Sequence, residues 1–165
     1  MKWRFVCEND CISRTIAWWG NGWRGFGHVD ASVAGGYLGA RSDRKGGKPP
    51  GVQLRPKDYL KGHLIRVSIL DIFLPPLIED ELQDWLLKQI GRKYDISDIG
   101  DLLLGRRAKN NGQWICSALQ DEGAQKFKLY HFPGIPAQQI TPDTFHALLC
   151  SRGAKEISAY DGPAV

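Results

Sequence analysis

The chain has 165 residues, 42% of them hydrophobic and 24% charged, with a formal net charge of +4. That length suits one domain with its own core, spanning 1–165, and no run approaches the roughly 18 consecutive apolar residues of a membrane span. The charge excess is too mild to point to a nucleic-acid partner, so nucleic acid is not the expected ligand.

The opening MKWRFVCENDC has no apolar run followed by small residues. No secretory leader is read there, and the chain is expected to be cytoplasmic as synthesised. WRFVCE (3–8) predicts a strand, and Asp10 or Ser13 can cap a helix running through ISRTIAWWG to Gly20. HVDASVA (28–34) alternates, halts at Gly35-Gly36 and resumes as YLGAR (37–41). This is a hairpin signal, because paired glycines supply the positive φ angles of a two-residue turn. Such a turn sets Asp30 across from Arg41 and His28 across from Asp43. SDRKGGKPP (42–50) predicts an exposed loop before the strands GVQLR (51–55) and HLIRVSIL (63–70). Pro75-Pro76 opens a helix over LIEDELQDWLLKQI, with Gly91 as its stop. A short helix follows over about 96–104, with Asp95 at its cap, then the polar loop GRRAKNNGQ and a helix beginning near Cys116. Thr141-Pro142-Asp143 starts a last helix through Cys150 and Gly153, and EISAY (156–160) returns as an edge strand. Strands early and helices late make an α+β chain, a small antiparallel sheet packed against helices.

Cys7, Cys11, Cys116 and Cys150 are too few and too uneven for a disulfide scaffold, and a cytoplasmic origin favours free thiols. Cys7 and Cys11 form a CxxxC without a second pair at ligand spacing, so no metal is expected. In WICSALQDEG (114–123) a helical wheel puts Trp114, Ile115, Ala118 and Leu119 on one apolar stripe, with Cys116 off its centre beside Gln120 and Gly123. A thiol in a first helical turn lies near unpaired N–H groups and the positive end of the dipole, which favour thiolate and can hold an oxyanion. A free cysteine is also commonly a small buried hydrophobe, and the local pattern leaves both readings open.

His28, directly after GFG, offers the imidazole that activates a cysteine, although a strand-start histidine is often a hydrogen-bonded surface residue. Asp43 is the expected orienter of that ring. Asp30, on the same face as His28, is its rival unless Arg41 claims it as a cross-strand ion pair. Tyr94, Trp23 and Ser117 are the candidate substrate contacts; Trp23 with Trp18, Trp19 and Phe26 makes either a groove or core. Arg41, Arg44, Lys45 and Lys48, with Arg106, Arg107 and Lys109, make either a basic rim or solvated loops.

A tryptophan-containing segment leading into GHVDASVAGGYLGARSD, followed by GVQLRP, GRKYD (91–95) and WICSALQ, resembles the circularly permuted papain-like branch of the NlpC-type cysteine peptidases and amidases, in which histidine precedes cysteine. The likeness is greatest to versions encoded by bacterial viruses and prophages. It implies a permuted papain-like fold with Cys116 as nucleophile at a helix start, His28 as base on the first sheet strand, and residues 91–95 as a turn entering the site. It implies no cofactor and a peptide or peptidoglycan fragment as substrate; with no leader read, delivery by a phage or secretion machine is the conjectured route to a cell-wall substrate. Two departures stand out: Ala118 replaces a glutamate frequent in relatives, and Gly39 falls where relatives often supply a third polar residue. The expected function is a cysteine hydrolase of amide bonds acting through an acyl-enzyme. The same dyad would serve an acyltransferase or thioesterase, and a non-catalytic phage structural or binding protein would share the fold.

Overall fold

The computed structural model describes residues 1–95, 113–129 and 137–161. Alternating segments rich in β-branched and aromatic residues form β1 (Lys2–Glu8), β2 (His28–Val33), β3 (Gly36–Arg41), β4 (Gly51–Arg55), β5 (Leu64–Asp71) and β6 (Lys155–Asp161). They make one antiparallel sheet in the order β4-β3-β2-β1-β5-β6. Four α-helices accompany it among the described residues: α1 (Cys11–Asn21), α2 (Pro76–Leu87), α3 (Cys116–Lys126) and α4 (Pro142–Ser151). The chain is therefore α+β. Asp10 caps α1 by accepting the Ser13 N–H at 2.8 Å, and Thr141 caps α4 by accepting that of Thr144 at 3.1 Å. Among the described residues no helix is long and apolar enough to cross a membrane. The helix expected over 96–104, and the loop residues Arg106, Arg107 and Lys109, lie outside the described residues.

The two faces of the sheet differ in chemistry. Trp3, Phe5, Val29, Ala31, Leu38, Ala40 and Leu70 join residues of α2, α3 and α4 in the main core. On the other face a smaller apolar group, Val6 with Tyr59 and Leu60, packs beneath the connection between β4 and β5. That connection also buries Arg4, His28, Asp30 and Arg41, whose charges must then find partners inside the protein.

The hairpin register differs from the expected one. Val33 pairs with Gly36, so the turn residues are Ala34 and Gly35, and Gly35 carries the positive φ of 89°. Gly36 sits in β3 instead, where an added Cβ would lie 2.0 Å from the Arg55 carbonyl oxygen. Its lack of a side chain serves the close approach of β4 rather than the turn. Ala31 faces Leu38, and one step further the same register sets Asp30 against Gly39 and His28 against Arg41. β3 ends at Arg41, so Asp43 has no cross-strand place opposite His28.

The helical wheel is also superseded. α3 is buried on nearly all sides, from Cys116 through Asp121 and at Gly123 and Ala124, so an apolar stripe does not separate core from site. The helix touches β2, β3, α2 and α4, and Cys116, 3% exposed, belongs to the main core. Gln120 fastens it to the sheet: its Oε1 accepts from Trp3 Nε1 at 3.1 Å and its Nε2 donates to the Leu38 carbonyl at 3.0 Å.

Candidate thiol–imidazole site

Ile115, in an extended conformation, leads into α3, and among the described residues no side chain caps that helix. Its first N–H groups are left without an intrahelical acceptor just where Cys116 begins the first turn. His28 begins β2, and its ring lies near enough to the Cys116 thiol, as does the Val29 backbone N–H, for both to act on the charge of the sulfur. Asp30 Oδ1 lies 2.7 Å from His28 Nε2. With Nε2 so engaged, Nδ1 is the ring nitrogen left for Cys116. The second oxygen of Asp30 accepts from Arg4 Nη2 and from the Tyr59 hydroxyl, each at 2.7 Å, and that hydroxyl stands 3.5 Å from His28 Nε2.

Asp30, not Asp43, is thus the acid on the imidazole. Asp43 is held by Arg41 through Nε at 2.9 Å and Nη2 at 2.6 Å. Arg41 does not pair with Asp30; it also donates to Glu8, at 2.7 and 2.9 Å, and to the Tyr59 hydroxyl at 3.3 Å. The shifted register is the reason, since it leaves Asp43 in the loop beyond β3 and turns Arg41 toward Glu8.

Electrostatics favour the ion-paired form of the dyad. Burial opposes a charge on His28, but the Asp30 carboxylate outweighs it and, with Cys116, raises the imidazole to about 9 against the repulsion of Arg41. Burial likewise pushes the Cys116 thiol up. The His28 charge and hydrogen bond, with the Val29 N–H, pull it below its ordinary value. Burial would also raise the Asp30 carboxyl; His28, Arg4 and Arg41 together hold it well below the usual carboxylate range. Both shifts act in the same sense, toward a charged thiolate beside a charged imidazolium.

A cleft of about 370 Å³ opens beside the dyad, lined by His28 and Tyr94, by Ile12 and Ile16 of α1, and by Arg41 and Asp43. Cys116 does not line it. Tyr94 is brought to the site by a bridge to Trp114, in which Asp95 N–H donates to the Trp114 carbonyl and Trp114 N–H to that of Lys93, both at 3.1 Å. Burial, and then the Cys116 charge, raise its phenol well above the ordinary range, so Tyr94 remains a hydrogen-bond donor. Ser117 is fully buried, and its Oγ makes no hydrogen bond among the described residues. Trp23 lies in a 3₁₀ turn, Gly22–Arg24, and its side chain is outside the described residues.

The expected basic rim is divided. Arg44 and Lys48 are exposed, while Arg41 is buried and Lys45 pairs with Glu8 at 2.5 Å and Asp10 at 3.0 Å. Of the tryptophan cluster, Trp18 and Trp19 are exposed and Phe26 is core. Sequence reasoning missed Arg4 and Tyr59. Arg4 alternates along β1 as a solvent-facing residue does, and Tyr59 sits in a turn-rich connection, so neither carried a signal.

On this α+β scaffold three buried side chains, Cys116 opening a helix, His28 opening a strand and Asp30 beside it, stand together. No family model matches the chain, and no curated protein matches it.

Proposed function

We propose that this chain is a permuted papain-like cysteine hydrolase that cleaves amide bonds, with peptidoglycan peptides or related small peptides as substrates. The observation that carries the reading is the placing of Cys116 beside His28 at the start of α3, with Asp30 Oδ1 2.7 Å from His28 Nε2. In this scheme the Cys116 thiolate attacks the substrate carbonyl carbon, and the resulting oxyanion takes hydrogen bonds from the uncapped N–H groups of the first turn of α3. The His28 imidazolium passes its proton to the departing amine nitrogen, leaving an acyl thioester on Cys116. Water, deprotonated by the neutral His28, attacks the thioester; the acid leaves and the thiolate and imidazolium are restored. Asp30 holds the ring and stabilises its charge throughout. Tyr94 and the apolar wall of Ile12 and Ile16 place the substrate.

The test is release of new amine and carboxylate groups from peptidoglycan stem peptides by the purified chain. Hydrolysis that disappears in Cys116→Ala, with circular dichroism unchanged, supports the reading. Hydrolysis that persists in that variant, or none in the intact chain, overturns it, and the second result favours a binding protein. Product analysis with an added amine separates hydrolysis from acyl transfer, which shares the thioester.

A further inference from the structure

Residues two apart on a strand point to the same side but stand too far apart for their side chains to meet upright, so one must lean. His28 and Asp30 meet because the Asp30 carboxylate leans toward β3. The cross-strand row explains what permits this. Arg4 of β1 pairs with Asp30, and Gly39 of β3, the next neighbour on the other side, pairs with Gln53 of β4. Asp30 therefore has a large cation on one flank and no side chain on the other. A Cβ built on Gly39 would lie 2.1 Å from Asp30 Oδ1 and 3.2 Å from its carboxyl carbon. Oδ1 is the same oxygen that meets His28 Nε2 at 2.7 Å, while Oδ2 is turned back to Arg4 and Tyr59.

We propose that Gly39 is a positioning residue for the imidazole: the space of its missing side chain is the seat of Asp30 Oδ1, and any side chain there detaches the acid from His28. Gly39 acts only through Asp30 and touches neither thiol nor substrate. The backbone needs no glycine there, because Gly39 does not have a positive φ. Its carbonyl, which accepts from Arg55 Nη1 at 3.2 Å, would survive a substitution. The inference rests on the Cys116–His28–Asp30 reading of the site, and its readout is independent of turnover.

The experiment is a nuclear magnetic resonance titration of the His28 ring in the full chain and in Gly39→Ala. The intact chain is expected to titrate at about 9, and Gly39→Ala well below that, toward the ordinary imidazole value. Unchanged titration in Gly39→Ala overturns the proposal even if the chain is an active hydrolase, and a lowered titration upholds it even if no substrate is cleaved. Should Gly39→Ala fold poorly, the same substitution in Asp30→Ala decides: with the carboxylate gone, an added methyl at position 39 should leave the melting temperature where Asp30→Ala alone puts it. A further large loss would mean that position 39 must be glycine for another reason, and would overturn the proposal.

Discussion

Asp30 stays charged at 1% exposure because His28, Arg4 and Tyr59 all point hydrogens at it. Asp30→Asn keeps the shape and removes the charge. Turnover is then expected to fall by about 10²–10⁴-fold, and Arg4, left as a buried charge without its counter-ion, is expected to cost about 3 kcal/mol in urea unfolding. Asp43→Asn, by contrast, loosens only a partly exposed pair with Arg41. A stability change of about 1 kcal/mol or less is expected, with His28 still titrating near its raised value. The pH dependence follows from the dyad. Thiolate and imidazolium coexist above the lowered thiol value and below about 9, so kcat/KM should rise through an acid limb and decline through about 9. In Asp30→Asn the basic limb should move to lower pH, because the charge that raised His28 is gone. Cys116 and His28 were legible as candidates from a thiol in a first helical turn and an imidazole after glycines. The orienting acid was not, because the choice between Asp30 and Asp43 hung on which glycine occupies the turn.

Among the elements, α3 sets the geometry of the site, and Gln120 is its fastening to β1 and β3. Gln120→Ala leaves the Trp3 indole N–H buried without a partner and removes the helix's bond to the Leu38 carbonyl. The expected loss is about 2 kcal/mol by urea midpoint, with lowered turnover in the folded fraction as the helix start drifts from His28. Cys116→Ala, although a core substitution, removes a single sulfur atom. It should cost about 1 kcal/mol and leave the far-ultraviolet dichroism unchanged. Strands with clean alternation and helices with Asp10 or Thr141 caps were readable from the sequence, since those signals are local. The burial of α3 was not, because Gln120 and Asp121 look solvent-facing until the sheet and two helices close around them.

Across the whole molecule, stability should be graded from the middle of the sheet outward. β1 is buried along nearly its whole length and paired on both edges, whereas β6 is paired only to β5, and residues 155–160 are exposed. Amide hydrogen exchange should therefore be slowest in β1 and β2 and fastest in β6, and protection of β6 equal to that of β1 would contradict the topology. Arg4 and Tyr59 escaped the sequence because they meet Asp30 only after β1, β2 and the β4–β5 connection assemble, and no spacing along the chain encodes that meeting.

The proposed chemistry requires that Cys116 rest as a thiolate held by His28. The most direct measurement is the ultraviolet thiolate absorbance of the intact chain minus that of Cys116→Ser, followed against pH and repeated in a His28→Gln background. A difference of one thiolate already present at about pH 7, and lost when His28 is replaced, is the expected result. A difference that develops only above about pH 8.5, with or without His28, would make Cys116 an ordinary buried thiol and rule out the thiolate–imidazolium pair.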